Sequence, residues 1–108
     1  MVRREFVPGK APKTDIDLIA AVQTGQPEAF RLLVERYQAQ VAATVIGMLG
    51  KGQEAEDVGQ EVFIRFYRSL AQFQAKSALG TYLTRIAINL SLNAIKKRKR
   101  QANTLRLN

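Results

Sequence analysis

Five adjacent cations, Lys96-Lys97-Arg98-Lys99-Arg100, follow a segment in which Asn89 and Asn93 stand four residues apart. Crowded cations repel one another and cannot be buried, so only water or an anion relieves them. A solvated tail meets that condition, and so does a row of phosphates. From Tyr82 onward the chain carries Arg85, Lys96, Lys97, Arg98, Lys99, Arg100 and Arg106 and no acid, which is +7 of a net +8 and leaves residues 1–81 at +1. Charge segregated in this way is the electrostatic footprint of a phosphate-binding surface. The two asparagine amides add the capacity to hydrogen-bond bases, phosphates and sugars. Phe73 and Tyr82 stand just ahead of this segment. Rings in that position either stack on unpaired bases beside a basic groove or belong to the core.

A second group of residues carries the opposite charge. Glu54, Glu56, Asp57 and Glu61 precede the basic segment, and Asp57, Gln60 and Glu61 fall at i, i+3 and i+4, the spacing of one helix face. A solvated face and a docking surface for a basic protein both fit. Ile64 beside Gln60 mixes apolar with polar character, as protein interfaces do. Absent residue types exclude other chemistry. With no cysteine and no histidine, disulfides, thiolate and imidazole metal sites, and histidine acid–base catalysis are unavailable. Gly47, Gly50 and Gly52 follow a helical segment, and Lys51 is not followed by Ser or Thr, so they mark a turn and not a phosphate loop. An enzyme is disfavoured and no cofactor or metal is implied.

These groups must be positioned by helices. The chain of 108 residues suits one small domain, and 46% apolar residues support a core. Residues 1–13, with Pro8, Gly9 and Pro12, read as a flexible arm. Thr14 followed by Asp15 and Asp17 is a helix start, with Ile16, Leu18, Ile19 and Val22 as its apolar side and Gly25 at its end. Pro27 opens a second helix of about six turns, whose stripe is Phe30, Leu33, Val34, Tyr37, Val41, Val45, Met48 and Leu49. A third helix follows Gly50-Lys51-Gly52 and turns Val58, Val62, Phe63, Phe66 and Leu70 inward, with Arg65 and Arg68 among the polar residues opposite. Residues 71–80 read as a loop. The fourth helix spans about Thr81 to Arg100, with Leu83, Ile86, Ala87, Leu90, Ala94 and Ile95 inward and Arg85, Asn89, Asn93, Lys96 or Lys97 and Arg100 on another face. No alternating strand pattern competes. The predicted fold is all-α, a compact bundle of three long helices plus a short N-terminal one.

The run Ala55-Glu56-Asp57-Val58-Gly59-Gln60-Glu61-Val62-Phe63, then Phe73, Ser77 and Thr81-Tyr82-Leu83-Thr84-Arg85-Ile86-Ala87-Ile88-Asn89 ahead of a basic run, resembles bacterial RNA polymerase sigma factors. The likeness is to the extracytoplasmic-function group, in the N-terminal promoter-binding domain, over about residues 14–100. Asp17-Leu18-Ile19, Gly25, Ala29-Phe30 and Tyr37 fit the start of the same domain. The resemblance implies a transcription-initiation domain that binds polymerase core and reads the promoter's minus-ten element, and the lack of a signal-peptide stretch at the N-terminus together with the basic surface favours the cytoplasm. Asp57, Gln60, Glu61 and Ile64 would then meet the coiled coil of the β′ subunit. The loop 73–81, with Phe73, Lys76, Ser77, Leu79 and Gly80, would capture a base flipped from the non-template strand. Arg85, Asn89, Asn93, Lys96, Lys97 and Arg100 would hold the DNA. An anti-sigma factor is a further expected partner. Tyr82 stands where the family commonly has Trp, and Asn93 where it often has Asp. Residues 101–108 are expected to begin a linker and are too few for the second, helix-turn-helix domain of such factors. A small helical protein that binds nucleic acid without polymerase is the alternative, and the acidic third-helix face is what distinguishes the two.

Overall fold

The computed structural model describes residues 13–74 and 78–107, the last of these by its backbone. The predicted arm therefore falls outside the described residues apart from Lys13, as do Lys76 and Ser77 of the predicted loop. The chain forms α1 (Asp15–Gln23), α2 (Pro27–Leu49), α3 (Gln53–Ser69), a single 3₁₀ turn (Leu70–Gln72) and α4 (Leu79–Leu107). Thr14 caps α1 reciprocally: its hydroxyl accepts from the Asp17 N–H at 3.1 Å, and the Asp17 carboxylate accepts from the Thr14 N–H at 3.3 Å. Pro27 takes the first turn of α2, where its missing N–H costs nothing. Gly50 and Gly52 adopt φ of 83° and 153°, values a side chain disfavours, and so the α2–α3 turn needs both.

Helix α2 packs against all three other helices, and α3 packs on α4. Leu33, Val41, Val62, Phe66, Leu83 and Ala87 lie at the centre of the core, all 1% exposed or less. Phe30, Tyr37, Val58 and Leu90 from the predicted stripes are half-buried against it. Four aromatic rings lock the ends of three helices together. Phe66 meets Phe30 and Phe73, each at 5.8 Å between centroids, and Tyr82 at 6.1 Å, while Phe73 meets Tyr82 at 5.0 Å. The Gln23 side-chain amide donates to the Leu70 carbonyl at 2.7 Å and ties α1 to the same corner. A second tie joins α1 to α2. Asp15 accepts from the Tyr37 hydroxyl and from Arg36, at 2.8 Å in the latter case, and burial first, then this bond, pushes the Tyr37 pKa up to about 12.

Several expectations change. Ile16, assigned to the apolar side of α1, is 66% exposed, because α1 meets α2 through Leu18 and Ile19. Leu70 is buried but belongs to the 3₁₀ turn and not to α3. Helix α4 starts at Leu79 and continues to Leu107, so the predicted loop is shorter and the predicted linker residues are helical as far as Leu107. The early start has a packing cause. Leu79 is one turn before Leu83 and joins the same buried stripe, at 4% exposed. Gly80 allows the first turn of α4 to press on α2: a Cβ there would stand 3.2 Å from Tyr37 Cε1 and 3.2 Å from Gln40 Nε2. Gln40 donates to the Gly80 carbonyl at 3.1 Å and to the Thr84 hydroxyl at 2.9 Å. Ser91, absent from the predicted stripe, is fully buried, and its hydroxyl has no hydrogen-bond partner among the described residues.

Candidate nucleic-acid and protein interfaces

The basic run divides in two. Arg98 turns back to the α2–α3 corner, where its guanidinium donates to the Glu54 carboxylate, from Nε at 2.7 Å, and to the Leu49 carbonyl at 2.8 Å. The bond to Glu54 raises the Arg98 pKa. Arg98 is thus a clasp between the end of α2, the start of α3 and α4. It leaves Lys96, Lys97, Lys99 and Arg100 exposed along the helix. The same clasp removes Glu54 from the acidic group.

Arg85, Asn89 and Asn93 are exposed on α4, and the two amides line a groove of about 550 Å³ between α3 and α4. Arg65, Arg68, Ser69 and Tyr82 line it as well. The two arginines, predicted on the polar side of α3 and assigned there to no site, turn into this groove. Their signal was spacing: Arg65 and Arg68 lie four and seven residues after Glu61, on the strip of α3 that turns toward α4. The groove offers guanidinium, amide and hydroxyl groups beside an aromatic wall, which suits a sugar–phosphate strand. Tyr82 donates to or accepts from Ser69 Oγ at 3.1 Å, so its hydroxyl is held at the groove edge while its ring packs on Phe66 and Phe73. Phe73 is half-buried in that cluster and not free on both faces. Leu79 belongs to the core, and the Gly80 carbonyl already accepts from Gln40.

The outward face of α3 holds Asp57, Gln60 and Ile64, all exposed, with Ile64 at 42%. Asp57 accepts from Gln53 at 2.9 Å. Gln60 and Ile64 also border a largely apolar groove of about 680 Å³ between α2 and α3, floored by Val41, Ala42 and Phe63. Glu61 departs from this group. It is half-buried on the flank toward α4, lines the α3/α4 groove and accepts from Arg65 Nε at 3.4 Å. Among the described residues no cluster of side chains could hold a metal ion, and no helix is long and apolar enough to cross a membrane.

The chain is similar to known proteins in sequence and in fold. RNA polymerase sigma-H factor of Pseudomonas aeruginosa is 42% identical over 87 residues, which cover 81% of this chain and 45% of that protein. ECF RNA polymerase sigma-E factor of Escherichia coli K12 is 46% identical over 80 residues, covering 74% of this chain and 41% of that protein. The chain thus spans less than half the length of these relatives. An NMR structure of an engineered region 2 of sigmaE in complex with GTAAAA matches with a TM-score of 0.75 and 40% identity, over 82% of this chain and 93% of that one. Residues 33–101, more than half of the chain, match the family Sigma-70 region 2. This chain, with its helical bundle, its aromatic corner and its basic fourth helix, belongs to the sigma-70 region 2 family.

Proposed function

We propose that this domain joins RNA polymerase core to the promoter's minus-ten element in the cytoplasm, as an initiation factor that catalyses no reaction itself. The observation that carries this reading is the division of one small bundle into two surfaces of unlike chemistry. The outward face of α3 presents Asp57, Gln60 and Ile64 beside an apolar groove, while the exposed side of α4 carries amides and cations and no acid. The first surface suits a basic, partly apolar helical partner, here the β′ coiled coil. The second suits a nucleic-acid strand running from the α3/α4 groove, past Arg85, Asn89 and Asn93, to Lys96, Lys97 and Arg100. Residues 73–81, Lys76 and Ser77 among them, capture the flipped base of the non-template strand. Phe73 packs on the aromatic corner at one end of this segment, and Leu79 and Gly80 pack at the start of α4 at the other. An anti-sigma factor blocks polymerase by covering the α2/α3 groove and the outward face of α3.

Core polymerase and a single-stranded minus-ten oligonucleotide, tested separately, distinguish this reading from its alternative. Binding to both supports it. Binding to the oligonucleotide but not to polymerase makes the chain a general nucleic-acid binder.

A further inference from the structure

Glu61 borders both proposed surfaces. It adjoins Gln60 on the α3 face assigned above to polymerase, yet its carboxylate lines the groove assigned to DNA. In that groove it accepts from Arg65 at 3.4 Å, while Arg68 and the amides of Asn89 and Asn93 face the same space. Arg68 makes no ion pair among the described residues. A phosphodiester entering the groove meets a negative charge, and one of the two cations suited to bind it is occupied.

We infer that Glu61 is an electrostatic lock between the two surfaces. A cation of the polymerase that takes the Glu61 carboxylate withdraws that charge from the groove and releases Arg65 to a DNA phosphate. Polymerase then raises DNA affinity, and DNA raises polymerase affinity by the same factor, because coupling between two binding sites is reciprocal. The inference rests on the assignment of the two surfaces proposed above. The pair is partly exposed, with Arg65 and Glu61 side chains at 56% and 39%, so its effect is modest and falls with salt. An exposed pair of this kind supports a coupling of up to about fivefold.

The full chain and a labelled single strand carrying GTAAAA, the sequence in the related complex, provide the test. At low salt Glu61→Gln tightens binding by about threefold to fivefold, and the gain is lost when Arg65→Gln is added. Glu35→Gln is the matched control, since it breaks another exposed i, i+4 pair, with Arg31, outside the groove lining. It leaves binding unchanged. In complex with core polymerase, Arg65→Gln weakens DNA binding more than it does in the free chain. Three results overturn the lock: wild-type binding by Glu61→Gln, an equal gain from Glu35→Gln, or the same Arg65→Gln effect with and without polymerase. A chain that binds neither oligonucleotide nor polymerase overturns the two-surface reading itself, which separates that failure from failure of the lock.

Discussion

Replacing Lys96, Lys97 and Arg100 together with Gln tests whether the basic end of α4 holds phosphates. All three are exposed and α-helical, so the substitution changes charge and little else. Each phosphate neutralised on a single strand contributes about −0.7 to the slope of log affinity against log salt, so three contacts flatten the slope by about 2.1. Over an approximately fourfold rise in salt, that difference makes wild type lose about eighteenfold more affinity than the variant. Fluorescence anisotropy with a short single-stranded oligonucleotide, titrated at four or more salt concentrations, measures both slopes. Arg98→Gln is the informative companion. Its guanidinium is committed to Glu54 and to the Leu49 carbonyl, so this variant keeps the wild-type slope and instead lowers the melting temperature. An unchanged slope in the triple variant would show that the run is a solvated tail. A flattened slope in Arg98→Gln would show that the clasp opens in solution.

Three further outcomes follow from the packing. Phe66→Ala empties the centre of the aromatic corner and lowers stability by about 3–5 kcal/mol in urea titration, a large part of a small domain's total; an unchanged midpoint would refute the assigned helix phasing. Ser91→Ala removes a buried hydroxyl without a partner and changes little volume, so it raises stability by about 1 kcal/mol; a fall would mean that the hydroxyl is bonded. Because Tyr37 titrates higher in the folded protein than the ordinary phenol, its contribution is full below the ordinary value near 10 and is lost as pH rises through about 12. Between those values Tyr37→Phe therefore loses less stability than wild type, and parallel loss in the two would contradict the raised pKa that burial and, after it, the bond to Asp15 produce.

Helix starts were legible wherever the local chemistry is self-contained. Thr14 with Asp17, Pro27, and the glycines at 50 and 52 act through their own backbone and close neighbours, and each lies where its residue type requires. Features decided by contact between distant segments were not legible. Leu79 looked like a loop residue because the four-residue step to Leu83 was short evidence against an apparently irregular stretch, and its burial depends on α2. Arg98 looked like one of five equivalent cations, and only the approach of Glu54 and the α2 terminus, 44 and 49 residues earlier, singles it out. Glu61 read as part of the outward face because spacing fixes a residue's helical angle and not which neighbouring helix closes on that angle. Arg65 and Arg68 were visible on the polar side of α3, but their convergence with Asn89 and Asn93 required the α3–α4 packing.

The domain is proposed to dock on polymerase through the outer face of α3 and its Glu61 flank while it holds DNA on α4. Association of the Asp57→Lys, Glu61→Lys double variant with Escherichia coli core polymerase, whose sigma-E factor is 46% identical over the shared region, tests this docking most directly. Both positions are on α3 away from the buried stripe of Val62 and Phe66, so circular dichroism verifies that the helices remain. Reversing two charges at a complementary interface impairs association strongly. Loss of polymerase binding together with tightened oligonucleotide binding is the expected result. Wild-type association of the double variant with core polymerase would contradict it.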